Sequence, residues 1–148
     1  MTSQKDISLS LQNRCILTRC GKQELAFPSK IVAEIIVVNR KQLLPLSMYD
    51  SLILGVVHHQ GSIIPLISLE FAREIETTIQ MESKLMKETL IAVRLNEQAG
   101  NIAGVGIVVE GIIGSVSVEA ISVSNSKYRI FAPQDIPERV WQPNSACF

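Results

Sequence analysis

The apolar residues of this chain fall in short runs, rich in isoleucine and valine, that end near glycine or proline. These two residue types together occupy 32 of the 148 positions. Branching at Cβ suits a pleated sheet and restricts side-chain rotamers in a helix. Many short strands separated by glycine and proline are typical of a barrel or a sandwich. The sequence therefore predicts a mainly β fold, and its length is near that of one compact domain.

The boundaries of the runs predict individual elements. Residues 14–20 and 24–27 flank a glycine-containing turn and predict a hairpin. Ser29 is predicted to cap a short helical turn that reaches Glu34. A short helix with an exposed crossing segment is predicted over 69–87. The predicted strands are 14–20, 24–27, 35–38, 52–59, 63–67, 89–95, 102–109, 112–118 and 120–123.

Three residues inside these strands carry further expectations. Pro65 has no backbone N–H, which indicates an edge position or a bulge in its strand. Gly104 and Gly106 predict close packing of their strand against a neighbouring backbone.

The chain is expected to divide into three parts. Residues 1–12 are polar and are predicted to form a flexible lead. Residues 13–123 carry the strands and are predicted to form the domain itself. Residues 124–148 are rich in proline, and we expect this tail to pack on the domain through the large apolar side chains of Phe131, Ile136, Val140 and Trp141.

Charge and composition exclude several classes of partner. The 14 basic residues balance 14 acidic ones and form no basic run, so the chain lacks the charge pattern of a nucleic-acid-binding protein. No apolar run reaches about 18 residues, so no membrane insertion is expected. The three cysteines form no even framework of the kind that secreted chains carry. These features predict a cytoplasmic protein.

No arrangement of residues typical of catalysis is apparent. His58 and His59 are adjacent in a predicted strand, so their side chains should point to opposite faces and share no metal ion. Cys15 and Cys20 should also lie on opposite faces, as buried structural thiols. The sequence therefore predicts no catalytic residue, no metal site and no cofactor. An enzyme is the least favoured function class.

One segment resembles a known family. Residues 55–69 read GVVHHQGSIIPLISL and are similar to the G-V-I-N-L-R-G-x-I-I-P-V-I-D-L hairpin of the CheW family. Residues 32–35 (VAEI) resemble that family's V-x-E-I, and residues 106–112 (GIVVEGI) resemble its G-L-V-V-D-x-V. The resemblance covers about residues 15 to 123.

The resemblance implies a fold and a function. The expected fold is two small SH3-like β-barrels side by side, with an apolar junction and one or two short helices. The expected function is that of an adaptor, which bridges the cytoplasmic tip of a chemoreceptor to the regulatory domain of a CheA-type histidine kinase. The expected pathway controls taxis or pilus-based motility. The residues expected to bind partners or to shape the binding hairpin are Val32, Glu34, Ile35, Gly55, Val57, Gln60, Gly61 and Pro65.

The chain also departs from the family pattern. Gln60 replaces an arginine, His58 an asparagine and Ser68 an aspartate, and the tail has no counterpart of the family's V-x-G-I segment. A missing arginine removes a charge-assisted contact worth about 1.5–3 kcal/mol, so altered partner choice is expected. An open sheet edge can favour self-association. The alternative function is a divergent β-barrel that regulates another protein or binds a small ligand, with no kinase partner.

Overall fold

The computed structural model describes residues 13–69, 88–123 and 128–143. The predicted 69–87 helix therefore lies almost wholly outside the described residues. The strands are β1 (Arg14–Cys20), β2 (Gln23–Pro28), β3 (Val32–Asn39), β4 (Ile53–His59), β5 (Ser62–Ile67), β6 (Thr89–Leu95), β7 (Gly106–Val109), β8 (Gly111–Ser117) and β9 (Tyr128–Ile130). The helices are α1 (Val118–Val123) and short 3-10 helices at Ser29–Ile31, Arg40–Gln42, Glu97–Ile102, Pro133–Asp135 and Glu138–Trp141.

The strands form two sheets. One has the order β8-β1-β2-β9 and the other the order β3-β6-β7-β5-β4. Neighbouring strands are antiparallel except for β9 beside β2 and β5 beside β7. Two sheets with only short helices confirm the mainly β prediction. No helix in the described parts of the chain is long and apolar enough to cross a bilayer.

One face of each sheet packs in a small apolar cluster of its own. The other face packs in a larger cluster to which both sheets contribute. Ile36, Val57 and Ala92 belong to a cluster made only by the five-stranded sheet. A second small cluster joins the four-stranded sheet to Ile121 of α1. The largest cluster contains side chains from both sheets, and it is the apolar junction between the two halves.

Strand β1 is buried on both of its faces. Cys15 lies in the cluster below α1, whereas Cys20 lies in the junction cluster. The register against β8 shifts between Leu17 and Thr18. The Thr18 hydroxyl donates to the Leu25 carbonyl at 2.8 Å, which satisfies this buried polar group. Both cysteines are buried thiols, as predicted, and burial raises the pKa of Cys15.

Three of the local predictions differ from the structure. No side chain caps the 3-10 helix at Ser29–Ile31, so the predicted Ser29 cap is wrong. Strand β3 begins at Val32, well before the predicted residue 35, because it pairs with β6 from Leu95 onward. The predicted strand over 102–109 is likewise too long, since β7 begins only at Gly106.

The prediction of a strand at 120–123 is wrong, because these residues belong to α1. The Ser117 hydroxyl accepts a hydrogen bond from the Ala120 N–H at 3.2 Å. A serine in this position caps the start of a helix by satisfying one of its free N–H groups. The β-branched composition of the segment hid this signal.

Gly104, which precedes β7, and Gly106, the first residue of β7, have different roles. A Cβ on Gly106 would lie 2.7 Å from the Leu66 side chain and 3.3 Å from that of Ala92, so this position is closely packed, but against side chains and not against a neighbouring backbone as predicted. A Cβ on Gly104 would meet nothing within 4 Å, and its φ of +85° shows that it serves the turn. The packing prediction for Gly104 is therefore wrong.

The segment from residue 128 to 143 contributes to both sheet and core. Strand β9 pairs in parallel with β2 through Glu24–Tyr128, Leu25–Arg129 and Ala26–Ile130. Phe131, Ile136 and Val140 are buried in the junction cluster, whereas Trp141 is partly exposed. An ion pair of 3.1 Å between Arg139 and Asp50 joins this segment to the loop before β4.

Candidate functional site

Strands β4 and β5 form a hairpin with a two-residue turn. His59 pairs with Ser62, and the turn residues Gln60 and Gly61 have φ values of 48° and 82°. Positive φ at both central residues is the geometry of a type I′ turn, which matches the twist of the flanking strands. The segment that resembles the family signature is therefore a tight hairpin, as its pattern predicts.

The two faces of the hairpin differ in exposure. Val57 and Ile64 point into the core of the five-stranded sheet and are almost completely buried. His58 and Ile63 pair directly on the opposite face, where Ile63 is 70% exposed. Alternation along a strand produces this division. His58 and His59 accordingly lie on opposite faces, as predicted.

A neighbouring loop extends the exposed face. Leu44 exchanges two backbone hydrogen bonds of 2.9 Å with Val56 and is 64% exposed. Side chains of directly paired residues lie on the same side of a sheet, so Leu44, Val56 and Pro65 form one row across the hairpin. We call this surface the hairpin face, which comprises Leu44, Val56, His58, Ile63 and Pro65.

Pro65 fits its position because its missing N–H is not needed there. Val56 directs its backbone groups to Leu44, so its pair with Pro65 is the kind without hydrogen bonds. Strand β7 joins the other side of β5 only from Leu66. Strand β5 is an inner strand, so the predicted edge position is wrong for the strand as a whole. At Pro65 itself, however, β5 is paired on one side only among the described strands, and so the missing N–H is tolerated.

Gly55 allows the Leu44 loop to lie against β4. Its φ is +150°, and a Cβ there would lie 2.5 Å from the carbonyl oxygen of Leu44. The β4 register shifts between Ile53 and Gly55, which is the mark of a bulge. Gly55 and Val57 are buried, so the expectation that they bind a partner is corrected: they shape and fill the hairpin from inside.

A cluster of polar side chains connects the hairpin to the rest of its sheet. Glu34 Oε1 lies 3.2 Å from an Arg94 guanidinium nitrogen and 3.6 Å from His59 Nε2. Arg94 lies directly opposite Glu34 across β3 and β6. Glu34 is therefore already engaged within the chain. Neither Arg94 nor the role of His59 was predicted, because both depend on strand register.

The remaining predicted residues lie at or near exposed positions. Val32 is half-buried against the junction cluster, whereas Ile35 is 41% exposed on β3. Gln60 and Gly61 are exposed at the tip of the hairpin. Gln60, Gly61 and Pro65 thus lie on the same hairpin, whereas Val32 and Ile35 lie on β3. Within the described segments, no three His, Cys, Asp or Glu side chains are grouped to hold a metal ion.

Replacing Gln60 by glycine is expected to stabilise the fold. A side chain in the left-handed region costs about 1–2 kcal/mol, and glycine removes this cost but loses more entropy on folding, so the net gain is about 0.5–1 kcal/mol. Chemical denaturation of both proteins measures the difference. Gln60→Ala is the matched control and should show no gain, since alanine keeps the Cβ. Equal stability of the glycine and alanine variants would contradict this account of the turn.

Comparisons with known proteins agree with this architecture. A family model described as the CheW-like domain matches residues 14–133. The crystal structure of the scaffolding protein TtCheW from Thermoanaerobacter tengcongensis is similar, with a TM-score of 0.53 and 14% sequence identity. The match covers 72% of this chain and 66% of that one, so it spans slightly less than two thirds of the scaffolding protein. No match was found among curated protein sequences.

These findings confirm the resemblance on which the expected SH3-like, two-part fold was based. The family match includes both sheets, the hairpin and the first residues of the segment after β9. It covers most of the chain. The chain therefore belongs to the CheW-like domain family.

Proposed function

We propose that this chain is a non-catalytic adaptor that couples the cytoplasmic tip of a chemoreceptor to the regulatory domain of a CheA-type histidine kinase. The observation that carries the proposal is the hairpin face, an exposed apolar surface on the segment that matches the family signature. The scaffolding role of the structurally similar protein TtCheW also supports it. Both proposed partners place the protein in the cytoplasm, in a pathway controlling taxis or pilus-based motility.

The hairpin face has the physical properties of a docking surface. Ile63 and Leu44 are mostly exposed, and burying one such side chain against a partner contributes about 1.5–3 kcal/mol. Both residues lie on backbone that is held by strand pairing, so little conformational entropy is lost when a partner binds. Apolar anchors on a rigid scaffold are the usual source of binding energy in an interface.

The residues proposed to bind partners are Gln60, Gly61 and Pro65 on the hairpin and Val32, Glu34 and Ile35 on β3. Glu34 would act with Arg94 and His59 as one cluster, since its carboxylate contacts both. Gln60 presents a neutral amide at the exposed tip of the hairpin. A kinase or receptor that relies on a positive charge there would bind weakly, so this chain is proposed to prefer a CheA-type kinase and a chemoreceptor that do not need that charge.

Replacing Ile63 by serine is expected to weaken partner binding by about tenfold or more without unfolding the protein, because the lost anchor is worth at least about 1.4 kcal/mol. Calorimetric titration of the full chain against a kinase regulatory domain and against a receptor-tip fragment measures the affinity. Ile113→Ser on β8 is the matched control, since Ile113 is also an exposed isoleucine on a strand. Equal affinities for the two variants would contradict docking at the hairpin face.

The same titrations test the partner choice that Gln60 implies. Gln60→Arg is expected to raise the affinity for a standard kinase or receptor domain by about tenfold, the equivalent of one charge-assisted contact. Unchanged binding would rule out the missing charge as the determinant. If folded wild-type chain and the arginine variant both fail to bind either domain, the barrel without a kinase partner becomes the better reading.

A further inference from the structure

We propose that two copies of this chain associate through strand β3, which pairs antiparallel with itself about a two-fold axis at Ile36. The contact would join two five-stranded sheets edge to edge. It involves a different strand from the hairpin face and does not require the adaptor function, but it would cover Ile35, which is also proposed to bind partners.

The orientation of the β3 backbone follows from one hydrogen bond. The Arg40 N–H donates to the Glu88 carbonyl at 2.7 Å, immediately beyond the Asn39–Thr89 pair. Bonded and non-bonded pairs alternate along an antiparallel ladder. Ile36 and Val38 therefore direct their backbone groups to β6, whereas Ile35 and Val37 direct theirs to the open edge.

The open edge has defined limits at both ends. At one end, the register against β6 shifts between Val32 and Glu34. At the other end, the Asn39 N–H donates to the side-chain oxygen of Gln42. Between these limits, the N–H and C=O groups of Ile35 and Val37 have no partner in the described part of the chain. These unpaired groups form a short template for another strand.

The side chains on this edge favour a second copy as the occupant. Ile35 is 41% exposed and Val37 is 64% exposed, and neither is charged. With the axis at Ile36, Ile35 of each copy lies opposite Val37 of the second copy. Each free N–H then meets a free C=O, and each exposed β-branched side chain meets another, a pairing that is favourable in sheets.

The edge also lacks the usual protection against such pairing. Proteins commonly block an exposed edge with lysine or proline. Neither occurs between residues 32 and 39. The one charged residue there, Glu34, contacts Arg94 and His59, and with the axis at Ile36 it lies opposite the apolar Val38 of the second copy, not opposite a like charge. The contact is a single pair of strands, which places it among small interfaces of less than about 1,200 Å². We therefore expect a weak dimer that forms only at high protein concentration.

The test combines sedimentation velocity with residue-resolved amide exchange on the full chain, between about 20 µM and 1 mM, the range in which weak complexes of this kind form. The sedimentation coefficient should rise with concentration. The amide groups of Ile35 and Val37 should become protected over the same range. Ile36 and Val38 serve as internal controls, because their amides already bond to β6 and their protection should not change.

Val37→Lys should lower the association constant by at least about tenfold, because it places a charge against an apolar side chain on the edge. Ile63→Lys is the matched control: it adds the same charge at an exposed isoleucine outside β3, and the dimer should persist. A chain that stays monomeric throughout, or a dimer that survives Val37→Lys without new protection at Ile35, would overturn the proposal.

Discussion

Phe131→Ala is expected to lower the free energy of unfolding by about 3–5 kcal/mol, the usual cost of deleting a buried aromatic ring. Phe131 is 2% exposed and stacks on Phe27, with ring centroids 4.9 Å apart. Its N–H also donates to the Ala26 carbonyl at 2.8 Å. The ring therefore holds the segment after β9 to the core that both sheets share. Chemical denaturation of the variant measures the loss.

Ile130→Ala is the control for this effect. Ile130 is the preceding residue and its side chain is exposed, so its loss should cost less than about 1 kcal/mol. A Phe131→Ala variant as stable as the Ile130→Ala variant would show that the segment from 128 to 143 does not stabilise the domain. Packing of residues 124–148 on the domain would then have to be abandoned.

Gly55→Ala is expected to destabilise the protein by about 2–4 kcal/mol, from backbone strain together with steric overlap. The added Cβ would lie 2.5 Å from the Leu44 carbonyl oxygen, and backbone cannot move aside as a flexible side chain can. The φ of +150° adds strain for any residue with a Cβ. The variant should also displace Leu44 from β4 and so alter the hairpin face. Thermal and chemical unfolding measure the destabilisation.

Gly111→Ala is the matched substitution, since a Cβ there would meet nothing within 4 Å. It should change the stability by less than about 1 kcal/mol. If the two alanine variants unfold alike, Gly55 does not hold the Leu44 loop in place. Amide exchange at Val56, whose N–H bonds to the Leu44 carbonyl, reports on that loop directly.

Local patterns were sufficient to predict the hairpins of this fold. The β1–β2 hairpin and the β4–β5 hairpin lie within one or two residues of the predicted bounds, because alternating side chains and turn glycines are properties of neighbouring residues. Features that depend on distant residues were missed. Strand β9 pairs with β2 across about a hundred residues, and no local signal in residues 128–130 indicates a parallel partner.

The candidate site could be predicted only in part. Its location follows from the sequence of residues 55–69, but its composition follows from strand register. Val57 points inward and packs in the core of the five-stranded sheet, on the same face of β4 as His59, whose side chain reaches Glu34. Leu44 belongs to the hairpin face because its backbone pairs with that of Val56, and no sequence pattern predicts this pairing. The sequence therefore predicts the β4–β5 hairpin, and the structure shows which of its side chains are exposed.

The most direct test of the account is a map of the surface that a partner covers. Isotope-labelled full chain is titrated with a CheA-type regulatory domain, and then with a receptor-tip fragment, while methyl and amide signals are followed. Shifts that concentrate on Leu44, Val56 and Ile63, with Val57 and Ile113 changed little, are the predicted result. Binding that shifts Ile113 and leaves Leu44 and Ile63 unchanged would contradict the claim that the hairpin face is the docking surface.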